Sequence, residues 1–148
     1  QREKLIEILE KSDILIGNYH EIKKIKERSG LAEENILLSV DAIIITKGSE
    51  GSELIYMDEN NEIFRINIPI ANPKKIEDTT GAGDGYRAGI LTGFVLNMTL
   101  LDSCRLGAII GSFVVETTGA QTHNFNFEQV RERFFTTFGY TPKELEMI

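Results

Sequence analysis

The stretch from residue 13 to residue 46, DILIGNYHEIKKIKERSGLAEENILLSVDAIIIT, predicts the fold class of this chain. It opens with a short apolar run at residues 13–17 and closes with a second one at residues 42–46. Residues 18–28 between them have the composition of a helix. Strands that are apolar almost throughout, joined by a helix, are typical of a parallel βαβ unit. We therefore predict an α/β fold with parallel strands.

The rest of the chain extends this pattern. Two strand-like segments, residues 53–57 and 62–68, flank a polar turn and predict a hairpin, and apolar residues at helical spacing dominate after Pro73. We predict one α/β segment over residues 1–148 with a helical C-terminal part. Its predicted helices cover residues 2–11, 18–28, 33–38, 81–98, 102–117 and 126–139.

Two further predictions concern the C-terminus and the interior. Thr141 and Glu144 have the spacing of a capping box with Pro142 at the first helical position, which predicts a short final helix. The residues expected in the core are one cysteine and five phenylalanines: Cys104, Phe125, Phe127, Phe134, Phe135 and Phe138.

Composition and charge exclude several classes of function. The 148 residues carry 16 Lys+Arg against 23 Asp+Glu, a net charge of −7 at pH 7, and an acidic chain lacks the positive field that binds nucleic acid or anionic membranes. A single cysteine excludes a disulfide scaffold or a cysteine-based zinc cluster. The longest uncharged run, residues 88–101, is shorter than the roughly 20 apolar residues of a membrane span. We expect a cytoplasmic protein without a nucleic-acid or membrane partner.

Residues 78–85, DTTGAGDG, are the segment that indicates chemistry. Three glycines within five residues open a helix, although glycine costs about 1 kcal/mol in a helix relative to alanine. One reason for the cluster is close approach of a ligand to bare backbone N–H groups. The first turn of a helix has unpaired donors and the positive end of the dipole, which suits phosphate. The Walker pattern is absent, and the dinucleotide pattern fails at Tyr86, where it needs a glycine.

Asp84 needs an explanation of its own, because a carboxylate beside a phosphate site repels the phosphate. In phosphoryl transfer to an alcohol, a carboxylate held there accepts the hydroxyl proton, an effect worth about 10²–10⁴ in rate. Alternatively, Asp84 only complements the helix dipole, which stabilises a helix by typically under 1 kcal/mol. Spacing alone leaves both interpretations open.

The DTTGAGD segment, continued by GYRAG at residues 85–89, resembles the second signature of the ribokinase-like (PfkB) carbohydrate and nucleoside kinases. The resemblance implies that Asp84 is the catalytic base and that the amides of Gly81, Ala82 and Gly83 form the anion hole for the transferring phosphoryl group. It also implies a three-layer ribokinase-like fold, ATP and Mg²⁺ as cofactors, and a sugar or nucleoside as the acceptor.

Two motifs upstream stand in the order that this resemblance requires. Asn18 and Glu21 resemble the family's N-x-x-E motif, which arranges Mg²⁺ and phosphates, often through water; Asn18 with Glu21 is also a helix-capping arrangement. The segment TKGSEG resembles the turn that lies against the nucleotide, through Thr46, Gly48 and Gly51; an ordinary strand-to-hairpin turn is the alternative.

Small residues on the helix predicted at 102–117 form the last signal. Gly107, Ala108, Gly111 and Ser112 make a stripe that by itself indicates close helix packing. The resemblance implies that this helix, with Ala108, Gly111 and Ser112, lines the adenine pocket together with residues 115–121. It leaves open whether Asp78 and Thr80 contact a monovalent cation such as K⁺.

The resemblance extends over the whole chain but only over the C-terminal half of the family's usual fold. We expect the N-terminal half, with its lid and most acceptor contacts, to be missing, and the 148 residues to be inactive alone. Two alternatives to a kinase remain: a nucleotide-binding or regulatory module without turnover, and a homo-oligomer in which two copies complete a sheet.

Overall fold

The computed structural model describes residues 1–119 and 122–148. Two compact units divide the chain, Gln1–Ile68 and Pro69–Ile148. The prediction that residues 1–148 form a single α/β segment stays a prediction. Among the described residues, no helix is long and apolar enough to cross a membrane.

The first unit is a four-stranded sheet with helices. The strand order is β1-β2-β3-β4; β1 and β2 are parallel, and the other neighbouring pairs are antiparallel. This arrangement confirms the predicted βαβ unit and the hairpin that follows it. The elements in chain order are α1 Arg2–Glu10, β1 Ile14–Asn18, α2 Tyr19–Ser29, α3 Glu33–Leu37, β2 Ala42–Thr46, a 3₁₀ turn Gly48–Glu50, β3 Ser52–Met57 and β4 Ile63–Ile68.

Strand β2 is the centre of this unit. Ala42, Ile43 and Ile44 are fully buried, and fully burying a side chain of isoleucine size contributes about 1.5–3 kcal/mol. Ile43 and Ile45, two residues apart, point to one face. There they pack with Leu9 of α1 and Ile22 of α2. The apolar run that the sequence shows at residues 42–46 therefore holds α1 and α2 against the sheet.

The second unit is helical. Residues 69–81 precede its first helix without helix or strand. Ala71, Leu106, Phe113 and Phe134 belong to its core. The helices are α4 Ala82–Val95, α5 Leu100–Val114, α6 Phe127–Phe138 and α7 Lys143–Glu146.

Local backbone geometry corrects several predicted boundaries. Helix α4 ends before residue 98 because Asn97 adopts a positive φ of 58°, which a right-handed helix does not contain. The predicted capping box at Thr141 is wrong. Pro142 itself is the N-cap of α7, with an extended ψ of 140° and no side-chain cap, so Thr141 lies outside the helix.

The core prediction holds for part of the aromatic set. Cys104 and Phe134 are fully buried, whereas Phe127 and Phe135 are 45% and 59% exposed because α6 turns Val130 and Phe134 toward the core instead. Burial also raises the pKa of the Cys104 thiol to about 12, although a hydrogen bond with Tyr86 opposes the shift. Cys104 is thus the packed thiol that its apolar neighbours predict.

Helices α4 and α5 approach each other through glycine. A Cβ on Gly89 would lie 2.6 Å from the Gly107 Cα, and one on Gly93 would lie 2.4 Å from the Ser103 Oγ. One on Gly107 would in turn lie 2.7 Å from the Tyr86 carbonyl oxygen. No side chain fits at these distances, so the small-residue stripe on α5 serves helix packing.

The loop that leads into α4 is held by Asp78. Its Oδ1 accepts the Thr80 N–H at 2.8 Å, and its Oδ2 accepts the Gly119 N–H at 3.0 Å. These hydrogen bonds, above all the one from the Thr80 backbone, lower the pKa of the Asp78 carboxyl. The carboxylate therefore ties the loop to the segment that follows α5.

Gly89→Ala is expected to lower the free energy of unfolding by about 1–3 kcal/mol, because its Cβ meets backbone that has no room to move. Gly83→Ala on the same helix is the matched control, since a Cβ there has no neighbour within 4 Å. Alanine at position 83 should leave stability unchanged or raise it, given its higher helix propensity. Urea unfolding followed by circular dichroism measures both variants; equal effects would show that the α4–α5 contact is looser than described.

Asp78→Asn is expected to destabilise the chain above pH 5 and to have a smaller effect below pH 4. A carboxyl with a lowered folded-state pKa contributes stability above its unfolded pKa of about 3.9, and loses that contribution as the pH falls through the folded value. Urea midpoints between pH 2.5 and 7 test this dependence. Glu146→Gln, at an exposed position in α7, is the control. If the urea midpoints of Asp78→Asn and the original chain differ by the same amount at every pH, the Asp78 carboxylate does not hold the loop.

Candidate functional site

Two of the motifs singled out in the sequence meet at one edge of the sheet in the first unit. Strands β1 and β2 are parallel, and Asn18 at the end of β1 pairs in register with Thr46 at the end of β2. The turns that follow, residues 18–21 and 46–51, therefore begin side by side. Open α/β sheets bind ligands at the carboxyl ends of their strands.

Asn18 and Glu21 form the capping box that their spacing indicates. The Asn18 Oδ1 accepts the Glu21 N–H at 2.9 Å, and the Glu21 Oε2 accepts the Asn18 N–H at 2.8 Å. A Cβ on Gly17 would lie 3.0 Å from that same Oε2, so the glycine makes room for Glu21 to fold back. Both side chains are exposed, and the role of Glu21 toward Mg²⁺ stays a prediction.

The turn after β2 is built on two glycines in conformations that disfavour other residues. Gly48 has a φ of 58° and Gly51 a φ of 86° with a ψ of −136°. The Gly51 carbonyl accepts the Lys47 N–H at 2.8 Å, and the Gly51 N–H donates to the Gly48 carbonyl at 3.1 Å. Turn geometry thus accounts for both glycines, whatever the turn binds.

Lys47, whose role the sequence leaves open, pairs with an acid. Its Nζ lies 2.9 Å from the Glu53 Oε2, and the other Glu53 oxygen lies 3.6 Å from Arg65 Nη1. Arg65 also contacts Glu33. The sequence does not reveal this ion network, since its members are up to 32 residues apart.

In the second unit, Gly81 begins α4 with a left-handed φ of 84°. The Gly81 carbonyl accepts the Gly85 N–H at 2.8 Å, and the Ala82 N–H donates to the Thr79 carbonyl at 3.2 Å. Within the described part of the chain, the N–H groups of Gly81, Gly83 and Asp84 have no such acceptor. Of the three amides predicted to form an anion hole, Ala82 is therefore engaged inside the loop, and the other two are not.

The glycine cluster serves three separate purposes. Gly81 adopts the left-handed conformation, and a Cβ on Gly85 would lie 2.7 Å from the Val114 Cγ2 on α5. At Gly83, in contrast to Gly85, an added Cβ would meet nothing within 4 Å. Close approach of a ligand to bare backbone is therefore needed to explain Gly83, but not the whole glycine cluster.

Asp84 lies in the first turn of α4 with its side chain 83% exposed. Its Oδ1 accepts a hydrogen bond from the Arg87 Nη1 at 3.1 Å. The signal for this partner was available in the sequence, because opposite charges three residues apart on a helix are neighbours. The guanidinium leaves the Oδ2 of Asp84 open to a further donor.

The remaining predicted residues of this unit have partners of their own. Both Asp78 oxygens accept backbone N–H groups, one of them from Thr80. The Ser112 hydroxyl, 5% exposed, donates to the Ile109 carbonyl at 2.6 Å and accepts from the Arg133 Nη1 at 2.8 Å. A Cβ on Gly111 would lie 3.4 Å from the Ala82 carbonyl oxygen, an ordinary van der Waals contact, so packing against α4 does not by itself require a glycine there.

Ala108 is partly buried on α5. Of the segment at residues 115–121 that the resemblance assigns to the adenine pocket, Ala120 and Gln121 lie outside the described residues.

A protein-only metal cage is not part of this site. Among the residues that the structure describes, no group of three or more His, Cys, Asp or Glu side chains could hold a metal ion.

Comparison with known proteins finds relatives in both sequence and structure. The nucleoside kinase of Methanocaldococcus jannaschii is 39% identical over 132 residues, which are 89% of this chain and 42% of that protein. Its crystal structure superimposes with a TM-score of 0.83 at 37% identity, covering 92% of this chain and 44% of that one. The Burkholderia thailandensis nucleoside kinase in complex with inosine gives a TM-score of 0.87 at 28% identity, covering 96% and 45%.

This chain therefore spans less than half the length of these relatives. The fold they share is ribokinase-like, in agreement with the expected fold class. Residues 1–126 match the family described as pfkB family carbohydrate kinase. Since that match covers most of the 148 residues, the chain belongs to the PfkB family of carbohydrate kinases.

Proposed function

We propose that this chain is the nucleotide-binding and catalytic half of an ATP-dependent kinase that phosphorylates a hydroxyl of a nucleoside or sugar. The observation that carries the proposal is the start of α4, where amides that have no acceptor among the described residues stand next to an exposed carboxylate. Together they suit a reaction in which negative charge migrates while an alcohol loses its proton.

Asp84 is the proposed general base. Its open oxygen accepts the acceptor hydroxyl proton while that hydroxyl oxygen forms a bond to the γ-phosphorus of ATP. The bond from the γ-phosphorus to the bridging oxygen breaks, and ADP leaves. The N–H groups of Gly81 and Gly83 donate to the phosphoryl oxygens at the positive end of the α4 dipole. Ala82 provides the helical backbone that orients these N–H groups.

The remaining predicted residues hold the nucleotide in this proposal. Glu21, oriented by Asn18, would hold Mg²⁺ through water, and the ion would supply neutralisation of the phosphate charge when bound. Thr46, Gly48 and Gly51 lie against the nucleotide. Ala108, Gly111 and Ser112 form the wall of the adenine pocket; since the Ser112 hydroxyl has two protein partners, its contribution is shape.

A monovalent cation near Asp78 is a further part of the proposal. Both Asp78 oxygens already accept N–H groups, so K⁺ would have to share them or bind to carbonyls. We therefore propose that Asp78 and Thr80 mainly hold the loop in place and, in addition, lie near K⁺.

The relatives favour a nucleoside as the acceptor. Two nucleoside kinases are 39% and 35% identical to this chain, and ribokinase of Lactococcus lactis is 33% identical over 116 residues. A solved relative binds inosine. Because the chain covers 42% of the first of these relatives, we propose that residues outside the 148 supply the acceptor pocket.

Without an acceptor pocket, the 148-residue chain is expected to bind Mg²⁺–ATP but to transfer no measurable phosphate to inosine or ribose. Positioning of the acceptor accounts for about 7–11 kcal/mol of a barrier, and in this proposal the groups that provide it lie outside the 148 residues. Calorimetric titration with Mg²⁺–ATP and a coupled ADP assay measure the two properties. Robust turnover by the chain alone would contradict the proposed division of the site.

Asp84→Asn, made in the longer protein that joins this chain to its acceptor half, is expected to lower kcat by about 10²–10⁴. The affinity for Mg²⁺–ATP should change little, because Asp84 acts on the acceptor proton. Glu128→Gln, which also neutralises an exposed acid in a first helical turn, is the matched control and should retain full activity. Equal kcat values for Asp84→Asn and the control would show that Asp84 is not the base. Absence of turnover in the unmodified longer protein would favour the alternative, a nucleotide-binding module.

A further inference from the structure

The loop at residues 69–81, which carries the turn before α4, contains no helix or strand. Besides the buried Ala71 near its start, a few hydrogen bonds to the segment after α5 hold this loop. The Glu77 N–H donates to the Val115 carbonyl at 2.8 Å, and the Asp78 side chain accepts the Gly119 N–H at 3.0 Å. A third bond joins the Lys74 N–H to the Glu116 Oε1 at 2.7 Å. This third hydrogen bond depends on the Glu116 side chain, which must itself be held in place.

Arg133 on α6 provides that hold. Its Nη2 lies 2.7 Å from the same Glu116 Oε1 that accepts the Lys74 N–H. The Arg133 and Glu116 side chains are only 10% and 15% exposed, so solvent screens the pair weakly. A planar guanidinium fixes both the place and the orientation of a carboxylate in a way that a flexible ammonium does not.

Arg133 is itself fixed on two further sides. Its Nη1 donates to the Ser112 Oγ at 2.8 Å, and its guanidinium carbon lies 3.6 Å from the centre of the Phe113 ring. Both of these residues belong to α5, as does the helix end that leads to Glu116. The guanidinium therefore connects α6, the end of α5 and, through Glu116, the loop at Lys74.

We propose that Arg133 is a positioning residue for the Gly81–Asp84 turn, acting by holding Glu116 as the anchor of the loop. The inference rests on the proposed function. Arg133 also lines a groove of about 440 Å³ together with Lys74. Without the guanidinium, water enters from this groove and the Glu116 carboxylate turns toward it. The Lys74 N–H then loses its acceptor, and the loop that carries Gly81 gains freedom.

The first test is amide hydrogen exchange in the 148-residue chain. Arg133→Gln is expected to speed exchange at Lys74 at least tenfold and exchange at Glu77 and Gly119 by a smaller factor. Arg131→Gln on the same helix is the matched control, because Arg131 contacts only the carbonyls of Leu145 and Ile148 in the described chain. It should leave all three amides unchanged.

Rescue separates positioning from general stability. In the double variant Arg133→Gln/Glu116→Gln, the uncharged amide oxygen of residue 116 accepts the Lys74 N–H without needing a cation. Exchange at Lys74 should therefore return to within about threefold of the original rate. A loss of thermal stability without faster exchange at Lys74, or faster exchange without rescue, would overturn the proposal.

The second test uses the longer protein and separates the inference from the proposed function. Arg133→Gln should lower kcat about tenfold or more, because displacements of about 1 Å cost up to 10²-fold in rate, while the KM for ATP changes less than threefold. An unchanged kcat beside an active original protein would overturn the inference. If the original protein transfers no phosphate, the proposed function fails, and the exchange rates alone decide whether Arg133 holds the loop.

Should Arg133→Gln fail to fold, Arg133→Lys replaces it in both tests. Lysine keeps a positive charge in the buried site but lacks the fork that reaches Ser112 and Glu116 at once. The inference then requires exchange at Lys74 at least threefold faster than in the original chain. Unchanged exchange in Arg133→Lys would overturn it.

Discussion

The second unit depends on a contact that has no side chain at its centre. Where Gly89 of α4 meets Gly107 of α5, backbone lies against backbone, at a distance that even one methyl group would prevent. Close packing of this kind removes the freedom to slide or rotate that longer side chains permit, because repulsion rises steeply at short range. The start of α4 and the end of α5 are thereby held in a fixed relation, and Gly85 against Val114 extends the contact to the turn at Gly81.

The hydrogen bonds between the loop and the segment after α5 build on that fixed relation. The carboxylates of Asp78 and Glu116 each accept a backbone N–H group from the other of these two segments. The Val115 carbonyl accepts the N–H groups of Glu77 and Asp78. Charge-assisted hydrogen bonds to backbone donors are stronger than neutral ones. A segment without helix or strand can thus present the turn at Gly81 in one conformation, which a preorganised site for a developing charge requires.

Local patterns predicted most of the fold. Strand β2 agrees with the predicted run residue for residue, and α6 lies between Asn126 and Gly139, as the predicted helix at 126–139 requires. Prediction was wrong where a single backbone angle decides the outcome, as at Asn97 and Pro142. It was incomplete where burial depends on the orientation of a whole helix, as with Phe127 and Phe135.

The candidate site could be predicted only in part, for a related reason. Residues 78–84 identify the family, because the motif is local in sequence. Arg133 gave no signal, since its partners Ser112 and Glu116 are 21 and 17 residues away and only the packing of α6 brings them together. Sequence also could not separate the purposes of neighbouring glycines: Gly83 faces open space, whereas Gly85 faces Val114.

The buried Cys104 thiol on α5 can report how often the helical unit opens. Cys104 is the sole cysteine, fully buried on α5, and its raised pKa keeps it in the protonated, unreactive form. A thiol-specific reagent therefore modifies the chain only in molecules where α5 has separated from its neighbours. The rate of that modification measures how often the helical unit opens, without any label or engineered residue.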